Sequence, residues 1–448
     1  MRYVLLVTGR AAIDSIRQAL FIATGLAVPL YVFPVLKALG RSIDLATVLA
    51  ALFVLSSFAS YRRNSAAGWF WLALAAVVPA LVLIRPVPSA FDLRRFLVSY
   101  GHWLLLIAFF FSCFSLEVPG TARTRLALWN VAAGALVALF AVYQVFGTPR
   151  HWPGTGPILA PFQREPLRLT WIGSFSQEGS YTRPSSVFLE PSWMGGYLSW
   201  VLVLGVAAVL AMSRGSRSKA RSLATAGLAL VLLSIAASVS WGAYVDLGVG
   251  AGAGLAALWL GRRFPAGRTA LLIIAAALLV ALAALSPPGR RVAGAVSERW
   301  EKLAQTPLEE NATEAQQQDS SWLRVRNLAH TSRLFRAHAF RGIGLGQFAN
   351  YENPGERFRP SFKDPWCGWV AIAAEMGVLG PVVLLGALLL ILRRWWRNRS
   401  GGLEHVAVPA LLAIVIVQQF HTASFLDLWW WYPVSVASAL CGPSAPRA

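Results

Sequence analysis

The chain has 448 residues, 56% of them hydrophobic and only 13% charged, with a mean hydropathy of +0.55. A soluble globular domain carries about twice that share of charge, so one soluble core is excluded. In so apolar a chain the net charge of +20 reads as membrane topology and lipid-headgroup contact rather than nucleic-acid binding.

The first stretch, to about Gln18, is broken by Arg2, Arg10, Asp14 and Arg17. No small-residue cleavage site follows it, so no cleaved signal peptide is expected. Apolar runs long enough to cross a hydrocarbon core of about 30 Å predict twelve transmembrane helices. They fall at about 19–39, 43–61, 67–87, 95–115, 126–147, 188–212, 222–239, 243–261, 268–286, 366–392, 406–422 and 426–442. The fold class expected is therefore an all-α membrane protein.

Orientation follows from the short loops. With the N-terminus inside, the cytoplasmic turns carry Arg62 and Arg63, Arg123 and Arg125, then Arg214, Arg217, Lys219 and Arg221. Arg262, Arg263 and Arg268 follow, and Arg393, Arg394, Arg397 and Arg399 complete the set. That is the positive-inside pattern, with both termini cytoplasmic. The chain then divides into a bundle at 1–285 with an outer loop at 148–187, a large outer loop at 286–365, and a second bundle at 366–448. In the large loop, Trp322 to Phe340 has apolar residues at helical spacing: Trp322, Val325, Leu328, Ala329, Leu334, Phe335 and Ala337. Arg324, Arg326, His330, Arg333 and Arg336 take the opposite face, as in a helix lying on the membrane interface. Aromatic residues near span ends, including Trp69, Trp71, Trp193, Trp395 and Trp429 to Tyr432, read as interfacial anchors.

Positive charge in the outer loops runs against the topological bias. Arg150, Arg164, Arg168 and Arg183 lie in the first of these loops, and Arg290, Arg291, Arg299, Arg324, Arg326, Arg333, Arg336, Arg341, Arg357 and Arg359 in the second. Guanidinium groups hold phosphate and pyrophosphate through paired, charge-assisted hydrogen bonds, so an anion site on the outer face is expected. A solvated surface or contact with anionic lipid is the alternative for any one of them. Arg183 and Glu190 stand at the entry of the sixth span, on the rim of an expected cavity. Glu190 would also suit a helix start by facing its positive dipole end. Ionisable groups at membrane depth are costly and tend to be functional, which adds Asp246, Glu375, Asp427 and His421 as candidates. Arg341-Gly342-Ile-Gly344-Leu-Gly346 follows no strand and is on the wrong side for ATP, so its glycines are read as shaping a sharp turn. Cys113, Cys367 and Cys441 are scattered, and no HExxH, CxxC or Asp-x-Asp motif is present; neither a metal nor another cofactor is expected.

Three segments together resemble a known family. Ser321-x-x-Arg324, His338-Ala-Phe-Arg-Gly342-Ile-Gly344-Leu-Gly346 and Glu375-Met-Gly377-Val-Leu-Gly380 are similar to the C-terminal signature of the O-antigen polymerase and ligase superfamily. The span count, termini and late outer loop resemble it too. The resemblance implies a GT-C-like architecture with its large periplasmic loop between spans 9 and 10, in the bacterial inner membrane. It implies an inverting, metal-independent glycosyltransferase that uses undecaprenyl-pyrophosphate-linked glycans, with a chain-length regulator and a flippase as further partners. Carried over by motif, Arg183, Arg324 and Arg341 grip pyrophosphate, joined by Arg326 and Arg333, while Gly342, Gly344 and Gly346 shape the loop. Glu190, and after it His338, is expected to meet the acceptor hydroxyl.

Departures from the pattern favour one branch. The histidine slot of the ligases is Trp366 here, and the Ser-Arg slot reads Ser240-Trp241-Gly242. Phe188-Leu-Glu190-Pro191-Ser192 resembles exopolysaccharide polymerases, so a Wzy-type polymerase is expected before a WaaL-type ligase. A flippase would need a charged path through the membrane, and charge within the spans is sparse.

Overall fold

The computed structural model describes residues 2–30, 34–38, 41–84, 91–116, 118–147, 150, 152, 177–178, 181–182, 184–188, 191–212, 218–260, 294, 301, 320–348, 367–398, 402–422 and 425–442. Helices dominate. They are α1 Arg2–Ala27, α2 Leu45–Ser57, α3 Ala66–Val77, α4 Leu93–Phe114, α5 Gly120–Gly147, α6 Pro191–Ala211 and α7 Ser218–Ala237. The series continues with α8 Trp241–Leu260, α9 Ser320–His338, α10 Gly368–Met376, α11 Leu379–Arg397, α12 Leu403–His421 and α13 Leu428–Leu440. Two antiparallel hairpins interrupt them: β1 Pro34–Ala38 with β2 Arg41–Asp44, and β3 Gln177–Glu178 with β4 Tyr181–Thr182. Eight helical segments are long and apolar enough to cross a membrane, so the chain is an all-α membrane protein.

Most expected spans coincide with a helix to within a few residues, and the one at 268–286 lies outside the described residues. Two are corrected. The first helix begins at Arg2 and ends at Ala27, and Pro34 to Asp44 form the first hairpin instead of a span end. Its charged first half is tolerated because Arg17 is fully buried among partners: Ser57 Oγ at 3.1 Å, Ser60 Oγ at 3.0 Å, Ser115 Oγ at 2.8 Å and Asp14 Oδ1 at 3.0 Å. The span expected at 366–392 is broken into α10 and α11 at Gly377, whose φ of +70° ends the first helix.

The aromatic anchors are corrected as well. Trp429, Trp430, Trp431 and Tyr432 are buried in the core, not placed at an interface. Trp430 Nε1 donates to Val415 O at 2.9 Å and Trp431 Nε1 to Phe425 O at 2.8 Å, so these two indoles are satisfied inside the bundle. Trp71 and Trp395 are buried too, whereas Trp69 stays exposed as expected. α13 is thus an inner helix, and α6 stands beside it. A helix that is apolar on all sides belongs in the interior, and α6 is such a helix, buried along most of its length.

Small residues let these helices approach. Apolar lipid gives helices no hydrophobic reason to associate, so close van der Waals contact must hold them. Gly242, Asp246, Gly250 and Gly254 recur every fourth residue on one face of α8, which packs on α12. A Cβ on Gly250 would lie 2.6 Å from Ile414 Cδ1, and one on Gly254 would lie 3.3 Å from Val406 Cγ1.

Helix ends that the loop charges assign to one side do meet. At one end Arg123 pairs with Glu404 at 3.2 Å and donates to Gly442 O at 2.7 Å, while Arg394 donates to Phe114 O at 2.8 Å. The start of α5 and of α12 and the ends of α4, α11 and α13 are thereby tied together. The starts of α4, α6, α8, α10 and α13 gather with the end of α12 at the opposite end, and the candidate site lies there.

Candidate functional site

α9 leads into the site. Its inward side carries the buried Thr331 and the half-buried His330, Leu334, Phe335 and His338. His330, expected on the polar face, instead meets the Phe348 ring at a centroid distance of 5.6 Å. Leu328 is 41% exposed and lies on the outer side with Arg333, Arg336 and Ala337. Beyond the helix end Phe340 is 82% exposed.

After α9 the chain turns sharply. The His338 carbonyl accepts from Arg341 N at 3.2 Å and Gly342 N at 2.8 Å, closing the helix. The glycine segment then docks by its backbone against the end of α10. Ile343 N donates to Ala374 O at 2.9 Å, Gly344 N to Glu375 O at 2.9 Å, and Val378 N to Ala339 O at 2.7 Å. Contact this close leaves no room for side chains. A Cβ on Gly342, at φ +72°, would collide with the Glu375 carbonyl, and one on Gly377 would lie 2.7 Å from Phe340 O. Both positions need φ values that L side chains rarely adopt. The two glycine motifs, Arg341 to Gly346 and Glu375 to Gly380, are therefore halves of one packed joint, with the Glu375 side chain buried inside it.

The other side of the joint is α4. Gln347, fully buried, clasps the backbone of Asp92: Asp92 N donates to Gln347 Oε1 at 2.9 Å, and Gln347 Nε2 donates to Asp92 O at 3.0 Å. Gly346 lies against Ser99, about two turns further along α4. Irregular backbone at such depth is tolerated only where protein covers it, and here α4 and α10 do so.

A second fixed turn precedes α6. Gln144 on α5 accepts from Ser185 N at 3.1 Å and Ser186 N at 2.6 Å and donates to Ser186 O at 3.2 Å. Ser186, at φ +53°, donates its hydroxyl to Val137 O at 2.8 Å. This turn joins Arg183 to Glu190, but those two residues lie outside the described set.

A polar pair stands where α8 meets α12. Asp246 Oδ1 lies 2.9 Å from His421 Nε2; the carboxylate is fully buried and the imidazole 22% exposed. Beside them Gln418 Nε2 donates to Gly196 O on α6 at 3.0 Å. Thr422 O accepts from Gly368 N at 3.0 Å, joining the end of α12 to the helix that ends in Glu375.

Residues 226–385 match a family model described as O-Antigen ligase. That segment is similar to the O-antigen polymerase and ligase superfamily, in line with the resemblance of the two glycine motifs. The match includes both glycine motifs, α9 and Asp246. No curated protein matches the chain. The apolar helices indicate a multi-pass membrane protein, and the matched family is one of glycosyltransferase-like enzymes that act on lipid-linked glycans.

Of the residues singled out from sequence, His338, Arg341, Gly342, Gly344 and Gly346 come together at the joint, with Arg333 on the exposed side of α9. Arg324 and Arg326 lie in α9, with side chains outside the described set. Burial lowers the tendency of His338 to hold a proton, and the neighbouring charge of Arg341 lowers it further. Gln144, Gln347 and Gln418 escaped the sequence reading, because an uncharged amide gives no signal until its backbone partners are known. Asp246 and His421 were named there separately. The four-residue recurrence of Gly242, Gly250 and Gly254 around Asp246 was the signal that this acid faces another helix.

Proposed function

We propose that the chain is a polysaccharide polymerase of the O-antigen or exopolysaccharide type. It transfers a growing glycan from undecaprenyl pyrophosphate to the non-reducing end of a lipid-linked repeat unit at the periplasmic face. The observation that carries this reading is the joint between the two glycine motifs, which presents Arg341 and His338 at the bundle end assigned to the outside. Arg183, Arg324, Arg326, Arg333 and Arg341 neutralise the pyrophosphate as it leaves; stabilising developing charge is often the largest single catalytic contribution. Glu190, with His338 second, contacts the acceptor hydroxyl. Attack on the anomeric carbon inverts its configuration and uses no metal.

The family description favours a second reading, transfer of the glycan onto lipid A-core. One experiment separates the two: gel analysis of surface polysaccharide from a deletion strain, with lipid-linked precursors extracted alongside. A polymerase predicts loss of polymer and accumulation of a single lipid-linked repeat. Long chains retained on the carrier lipid and missing from lipid A-core would establish the ligase instead. Complementation with Arg341→Ala is expected to leave the single repeat in place at unchanged protein level, and normal chain lengths would remove Arg341 from the site.

A further inference from the structure

We propose that His421 is the general base that takes the proton of the acceptor hydroxyl, and that Asp246 is the residue that positions it. The inference rests on the glycosyl-transfer reading above and deepens it by naming the base.

The geometry begins with the row on α8. Gly242 and Asp246 are one turn apart on the face that meets α12, so both are presented to the same neighbour. Asp246 has no exposure, and its Oδ1 holds His421 Nε2 at 2.9 Å. Its other oxygen, Oδ2, is buried, with the Gln418 side chain as the further polar group acting on the carboxylate. A buried carboxylate is costly unless something uses it, and the imidazole is its one ionisable partner here. The hydrogen bond to Nε2 fixes the ring's orientation and places the other nitrogen, Nδ1, on the far edge. Gly242 lies along that edge: a Cβ there would come 2.7 Å from both Nδ1 and Cε1. Any side chain larger than glycine there would collide with this edge, and the ring as a whole retains 22% exposure.

A partly exposed imidazole held on one nitrogen by a buried carboxylate is the arrangement of a general base with its orienting acid. Its location matches the chemistry. His421 is the last residue of α12, and the next residue, Thr422, holds the start of α10 through Gly368. In the step, Nδ1 takes the hydroxyl proton as the acceptor oxygen bonds to the anomeric carbon. The bond from that carbon to the pyrophosphate oxygen breaks, and the carrier pyrophosphate leaves with the electron pair. Asp246 offsets the charge of the imidazolium, which then releases its proton to water.

The test uses the full chain in lipid nanodiscs, with lipid-linked repeat units extracted from a host strain lacking it as both donor and acceptor. His421→Gln keeps a donor for Asp246 while removing the proton acceptor. It is expected to lower kcat by about 100-fold or more, with KM changed by less than about threefold. Asp246→Asn preserves a hydrogen bond but not the charge, and is expected to lower kcat by about tenfold or more at unchanged KM. A merely structural contact would survive that change with kcat intact. A kcat within about threefold of the unmodified chain in His421→Gln overturns the proposal, and the same result in Asp246→Asn overturns the positioning role. Should His421→Gln fail to elute as the unmodified chain does, Asp246→Asn decides alone by the same criterion. Absence of transfer by the unmodified chain would instead overturn the glycosyl-transfer reading beneath, and this proposal with it.

Discussion

His338, at the close of α9, is partly buried and stands beside Arg341, and both circumstances weaken its hold on a proton. Burial disfavours the charged imidazole, and the guanidinium adds repulsion, so its pKa falls below the ordinary 6.5. The unfolded chain then binds the proton more tightly than the folded one, and stability rises with pH through this window. Above pH 6.5 both states are neutral at this site and nothing is lost. As pH falls below 6.5 the folded state incurs a growing penalty, complete once pH drops past the lowered value. Thermal unfolding of the unmodified chain and His338→Gln, compared between pH 7 and pH 5, is expected to show a steeper loss in the unmodified chain. Equal slopes would mean that neither burial nor Arg341 lowers the pKa of His338 in the folded chain. The glycines beside it show what sequence can reveal at this scale. Their spacing marked a sharp turn, but not what lies against it, because the Glu375 carbonyl is a backbone atom and leaves no trace in residue identity.

Among the elements, α8 and α12 depend on each other most visibly. Glycines at 242, 250 and 254 let α12 settle against α8, and Asp246, in the same row, is carried into the contact with His421. Filling the row should separate the helices. Gly250→Leu places a branched side chain where Ile414 Cδ1 already lies 2.6 Å from a bare Cβ. Overpacking of this kind costs about 1–3 kcal/mol. The expected result is a lower unfolding temperature together with reduced transfer activity, since the contact carrying the proposed base is loosened. Gly252→Leu, a position where a Cβ meets nothing within 4 Å, is the matched control and should leave both unchanged. Helix positions were largely legible from apolar run length, because hydrocarbon thickness sets that length whatever the partner. The break at Gly377 was not, since the apolar pattern continues unchanged through both α10 and α11 and only the docking of Ala339 and Phe340 shows why the helix must stop. The aromatic run from Trp429 to Tyr432 misled for a related reason: tryptophan suits a membrane interface and a buried site with a carbonyl partner equally well.

At the scale of the whole molecule the bundle has two polar ends with different tasks. One holds the glycine joint, α9 and the Asp246–His421 pair. The other is bound together by arginines: Arg123 and Arg394, whose placement the positive-inside rule anticipated but whose contacts it did not, and Arg17, which it did not include. Arg17, Arg123 and Arg394 direct their guanidinium groups inward, to hydroxyls and carbonyls as far as 319 positions away in sequence. Arg123 is the member with a buried counter-charge, Glu404 at 3.2 Å, and it also donates to Val118 O at 2.9 Å. Removing one partner of such a pair leaves a buried charge uncompensated, at a cost of about 3–5 kcal/mol, whereas replacing both with apolar groups costs far less. Glu404→Ala should therefore lower the unfolding temperature and the yield of folded protein markedly, while Arg123→Met combined with Glu404→Leu should regain most of the loss. The surviving Glu404→Ala protein should keep the kcat and KM of the unmodified chain, because Glu404 lies at the end of the bundle away from the glycine joint. A change in KM for the lipid-linked repeat in that variant would show instead that the two ends are coupled through α12, the helix that carries Glu404 at its start and His421 at its close.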